Sequence, residues 1–133
     1  MKKQALTETD ETYLELFEEL RGLLVPYCTH LNVIEAETHY SLNCKKEVKK
    51  GMPMFFGSVT IMKNYVSYHL MPVYADPSLL QNISPELKKR MQGKSCFNFK
   101  KAEPALFREL KALTKKGYQS FVKAGWIEKE KSR

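Results

Sequence analysis

No stretch of this chain is apolar for long enough to cross a bilayer: its longest aliphatic runs, such as Leu23 to Val25, are only a few residues, against the roughly 20 that a spanning helix needs. Cysteine is scarce as well. Cys28, Cys44 and Cys96 are odd in number and widely spaced, which fits reduced thiols better than a disulfide framework. The apolar core of a secretory signal is missing, since Lys2 and Lys3 lead into the acidic TETDET, so the expectation is a cytoplasmic protein with no membrane partner. Metal knuckles of the CxxC or HxxxH type are absent. Cys28, His30, His39 and Cys44 are separated by one, eight and four residues, the spacing of scattered strand positions rather than of zinc ligands. There is no glycine-rich phosphate loop either: the GKS at Gly93 to Ser95 has no upstream glycine and leads into a strand instead of a helix.

What is present is enough for one domain. At 133 residues the chain can bury roughly two-thirds of its unfolded surface without staples. Its net charge of +7 is laid out unevenly, with three basic and six acidic groups in residues 1–30, five and four in 31–83, and fourteen and five in 84–133. An acidic front and a basic back either attract each other within the fold or leave the basic end for an anionic partner.

The segment Gly51 to Tyr74 reads as the centre of an antiparallel sheet. With Lys63 and Asn64 as a two-residue loop, Met62 faces Tyr65, Ile61 faces Val66, Thr60 faces Ser67, Val59 faces Tyr68 and Ser58 faces His69. That one register puts aliphatic side chains on one face and polar ones on the other, on both strands at once. The open face so defined carries Ser58, Tyr65 and His69. Around it, apolar spacing of three and four predicts a helix over Thr9 to Val25, ended by Pro26. Strands are expected around Leu31 to Ile34 and Tyr40 to Cys44. A short turn follows from Asp76 through Leu80, and Ser84 and Pro85 carry the N-cap chemistry of a short helix reaching Met91, which Gly93 stops. The alternation of Ser95 to Phe99 predicts a strand with Phe97 and Phe99 buried. Pro104 opens a last helix with Leu106, Phe107, Leu110, Leu113, Gly117, Tyr118 and Phe121 on one arc, and Gly125 caps it. Gly117 within that arc suggests close backbone approach. The fold class is therefore α+β, a single antiparallel sheet of about five strands with the terminal helices on one face.

Three constellations carry candidate chemistry. Ser58 opposite His69 invites a hydrolase reading, but no GxSxG elbow surrounds the serine and no acidic residue is placed to orient the histidine, so a cross-strand hydrogen-bonded pair is expected and no catalytic residue is assigned. Glu8, Glu11, Glu15, Glu18 and Glu19 line one arc of the first helix and are the candidate metal ligands, although a solvated acidic face has the same pattern. Lys88, Lys89, Arg90 and Lys94 form the most basic connector and are the candidate contacts for an anionic partner, with Lys100 and Lys101 close behind.

The wording of GMPMFFGSVTIMKNYVSYHLMPVY, ISPELKKRMQGKSCFNFKK and ALFRELKALTKKGYQSFVKAGW resembles the YdhG-like group of bacterial domains, over about residues 14–126. The resemblance implies a small α+β fold similar to frataxin or to secretion-chaperone-like domains. It implies no activity and no ligand residues, though some members of the group are described as iron chaperones by analogy with frataxin. The reading that follows is a non-enzymatic binding or adaptor module without a cofactor, engaging a protein or small-molecule partner. The alternatives are iron or other metal handling of the frataxin-like type, and nucleic-acid binding through the basic C-terminal half.

Overall fold

The computed structural model describes residues 8–128, with side chains from Asp10 onward. Helix α1 (Glu8–Leu24) buries Tyr13, Leu16, Phe17, Leu20 and Leu24 as one stripe. Pro26 cannot donate to an α-helical ladder, and the chain tightens there into a 3-10 turn over Val25–His30. Four consecutive strands follow: β1 (Asn32–Ala36), β2 (His39–Lys49), β3 (Met52–Ile61) and β4 (Val66–Leu70). After helices α2 (Met71–Ala75) and α3 (Pro85–Lys88), the chain returns as β5 (Met91–Gln92) and β6 (Cys96–Phe99), and ends in α4 (Pro104–Ala124). The six strands form one antiparallel sheet in the order β1-β2-β3-β4-β6-β5.

The β3–β4 register is the one the aliphatic and polar sorting predicts, from Ile61 opposite Val66 to Ser58 opposite His69. The Met62 N–H donates to the Tyr65 carbonyl at 2.8 Å. Among the described residues only glycines have positive φ, so the Lys63–Asn64 loop closes without a left-handed residue. Val59, Val66, Tyr68, Leu70, Phe97 and Phe99 are all buried on the helix side. Phe99 meets Phe107 of α4 edge-on at 4.9 Å between ring centres.

A bulge in β3 sorts its two adjacent phenylalanines. Leu42 pairs with Gly57 but Asn43 with Phe55, which leaves Phe56 as the extra residue. Phe56 therefore turns inward, edge-on to Phe121 at 5.8 Å and Tyr118 at 6.0 Å, while Phe55 lies on the other face beside His69 at 4.8 Å.

Three element ends and the role of one glycine differ from the sequence expectation. β2 runs on to Lys49, past the expected end at Cys44, because it keeps pairing with the start of β3. The expected strand through Tyr74 stops at Leu70, since Pro72, with its fixed φ and no N–H to donate, suits the first turn of α2. The helix opened by Ser84 ends at Lys88 instead of Met91, because the Asn98 N–H donates to the Arg90 carbonyl at 2.7 Å and draws the chain into β5. Gly93 is left-handed as expected (φ +79°), but it closes the β5–β6 hairpin and does not cap a helix. The N-cap itself stands: Ser84 Oγ accepts from the Leu87 N–H at 3.1 Å.

Two helical glycines should respond oppositely to alanine. A Cβ at Gly22 would meet nothing within 4 Å, whereas one at Gly117 would lie 3.0 and 3.1 Å from Cβ and Cγ of the buried Pro72 ring. Gly22→Ala is expected to stabilise by about 0.5–1 kcal/mol through helix propensity. At Gly117 the same gain is outweighed by overpacking strain of about 1–3 kcal/mol against a ring that cannot swing away. Paired denaturant titrations should give shifts of opposite sign; two gains would mean that α2 yields to α4.

Candidate functional site

The helices cover one face of the sheet and leave the other with small polar side chains in ladder rows. One row reads Ser41, Ser58, His69, Cys96 and Gln92 across five strands. The next reads His39, Thr60, Ser67 and Asn98. His39 Nδ1 and Thr60 Oγ1 lie 2.7 Å apart, a cross-strand hydrogen bond. One step beyond the Val66–Phe99 pair stand Tyr65 and Lys100.

Burial shifts both titratable groups of the first row toward their neutral forms. Burial pushes the Cys96 thiol up, opposed by hydrogen bonds from Ser67 and Ser95, so it stays protonated at neutral pH. Burial also holds the His69 imidazole below its ordinary value. Ser58 is buried in the row, 8% exposed. The sign of the His69 effect follows from linkage. As the pH falls below about 6.5, the unfolded chain takes up a proton that the folded chain resists, so stability declines on acidification until the lower folded value is reached. His69→Gln should flatten that part of the stability curve; an unchanged slope would assign the proton to another group.

At the β5–β6 corner the open face runs into a pocket of about 430 Å³ lined by Lys89, Arg90, Gln92, Asn98, Lys100, Lys101 and Glu103, with Met91. Arg90 is held there by Glu103, Nε to Oε2 at 2.6 Å and Nη2 to Oε1 at 2.8 Å. That hydrogen-bonded pairing lowers the Glu103 carboxyl and raises the Arg90 guanidinium. Three lysines remain around the rim. Asn98 Nδ2 donates to Gln92 Oε1 at 3.2 Å, while Asn98 Oδ1 is the buried side-chain polar atom that, among the described residues, has no donor.

Of the four basic candidates, Lys89 and Arg90 line this pocket; Lys88 lies exposed on α3 and Lys94 on the hairpin loop at the other end of β6. Arg90 is also less free than its sequence neighbours imply, because its acidic partner comes from thirteen residues away. Ser58 pairs with His69 across β3 and β4, and Tyr65 stands one residue before β4. Glu11, Glu15, Glu18 and Glu19 are exposed along α1, with Glu18 paired to Arg21 at 2.6 Å; the Glu8 side chain lies outside the described residues. Among the described residues no three His, Cys, Asp or Glu side chains converge on a possible metal position. Cys44 is a core residue, its thiol pushed up to about 11 by burial, and His39 is bound to Thr60 on the opposite face. None of the ion pairs among the described residues joins an α1 glutamate to Lys111, Lys115 or Lys123. Gln92 and Asn98 had no signal in the sequence as site residues, because only the β5–β6 pairing brings them side by side.

No helix among the described residues is long and apolar enough to cross a membrane. Compared with family models, with curated proteins and with solved structures, the chain matches none of them.

Proposed function

We propose that this protein is a non-enzymatic, cytoplasmic binding module that takes an anionic ligand at the basic corner of its open sheet face. One observation carries the reading: Lys89, Lys100 and Lys101 ring a pocket whose only carboxylate, that of Glu103, is already taken by Arg90. Among the described residues none of these lysines forms an ion pair, although Lys101 is near enough to help hold the Glu103 carboxyl low, and together they raise the local concentration of anions. The absence of catalysis is part of the proposal and is supported by the protonated Cys96 thiol and the buried Ser58. So is membership of the YdhG-like group, whose implied architecture of terminal helices on one face of an antiparallel sheet agrees with the fold. Calorimetric titration with inorganic pyrophosphate tests the site. Binding is expected to weaken with added salt and to be lost in Lys100→Ala/Lys101→Ala, but not in Lys111→Ala/Lys115→Ala on the outside of α4. Equal binding by the two double variants would overturn the assignment.

A further inference from the structure

We infer that the anion taken at this corner is the backbone of a single-stranded nucleic acid, whose bases run out over the open sheet face. The inference rests on the anion-binding reading and adds its ligand class. The rim charge supplies the first argument, because Lys89, Lys100 and Lys101 lie within one pocket and complement consecutive phosphates. The second is the half-buried Tyr65, which stands opposite Lys100 one step beyond the last β4–β6 pair. An aromatic ring on an uncovered sheet face beside a cation is the arrangement on which a base stacks while its phosphate is held. The third is the amide pair in the pocket. Gln92 and Asn98, joined from Nδ2 to Oε1 at 3.2 Å, set amide groups in the pocket beside the lysines, and an amide pairs with the N–H and carbonyl groups of a base edge. A phosphodiester has no proton to donate at neutral pH, whereas a base edge carries N–H groups.

A protein occupant fits this face less well. Its centre is chiefly small hydroxyl side chains, Ser41, Ser58, Thr60 and Ser67, with Phe55 set against His69, and it lacks the cluster of aromatic and aliphatic anchors that carries binding energy in protein interfaces. A duplex fits poorly too, since its bases are stacked on each other and unavailable to Tyr65.

Fluorescence anisotropy with a labelled oligouridylate over a salt series, with inorganic pyrophosphate titrated in parallel, tests the inference. Three phosphate contacts predict a slope of about −2 for log affinity against log salt. Tyr65→Ala should weaken the oligonucleotide about tenfold and leave pyrophosphate unchanged, and Tyr65→Phe should restore the oligonucleotide. If Tyr65→Ala binds both probes like the parent protein, or if a duplex of the same charge binds as tightly as the single strand, the stacking platform is wrong while the anion site stands. If Lys100→Ala/Lys101→Ala keeps both probes, the anion site itself fails. Ultraviolet cross-linking on the unmodified protein gives a readout independent of any variant's folding: adducts are expected at Tyr65 or its strand, and adducts confined to α1 and α4 would sink the proposal.

Discussion

Phe97→Ala is expected to lower the unfolding free energy by about 3–5 kcal/mol, the largest loss of any single substitution considered. Phe97 is 0% exposed, lies on β6 between Tyr68 of β4 and Met91 of β5, and faces the helices. A truncation there removes a whole ring from a layer whose neighbours are held by strand pairing on both sides, so collapse can relieve little of the cavity. β6 is also the strand that joins β5 to the sheet. Urea titration should therefore show a lower midpoint with little change in slope, since the surface exposed on complete unfolding is nearly the same. A loss below about 1 kcal/mol would mean that this part of the core repacks freely.

The second large effect concerns a buried hydroxyl pair that ties the sheet to the last helix. Tyr68 Oη and Thr114 Oγ1 lie 2.6 Å apart, both side chains 0% exposed. Burial dominates the Tyr68 phenol and pushes its ionisation up, with the Thr114 hydrogen bond acting in the opposite sense, so the neutral hydroxyl is the form the core accepts. Thr114→Val leaves the phenol buried without that partner and should cost about 1–3 kcal/mol, and Tyr68→Phe strands the threonine in the same way. Removing both groups together is expected to cost less than the sum, because no polar atom of the pair is then left unsatisfied. A double-mutant cycle by thermal or denaturant unfolding measures the difference. Additive losses would show that Thr114 is already satisfied by its own helix.

How much of this was readable beforehand depended on whether one local pattern had a single solution. The β3–β4 register was readable, because only one pairing sorts Val59, Ile61, Val66, Tyr68 and Leu70 from Ser58, Thr60, Ser67 and His69. The last helix and its Gly125 cap were readable for the same reason, as was the burial of Phe97 and Phe99. The Phe55–Phe56 pair was not. Alternation cannot say which of two adjacent aromatics turns inward, and the bulge that decides it is set by β2 on the neighbouring strand. The shortness of α3 was hidden too: Glu86 to Met91 has good intrinsic helix formers, and pairing of β5 with β6 overrides them. For the candidate site, charge in the sequence picked out Lys89 and Arg90, which line the pocket, but could not separate Lys94 from Lys100, which the β5–β6 hairpin sends to opposite ends of one strand.

The strand order also sets what a growing chain exposes as it is made. β1 to β4 are consecutive antiparallel neighbours, so each can pair with the strand just completed at small loop-closure cost. β4 then has nothing on its far side until Cys96 to Phe99 arrive. Through that interval the nascent sheet carries an unpaired edge on the ribosome, with β4 covered by α1 alone until α4 is made, and such an edge is where one unfinished chain can capture another. The segments α2, the 3-10 turn over Pro77–Leu80, α3 and the two-residue β5 are what the ribosome adds in the meantime, and they fix how long that exposure lasts.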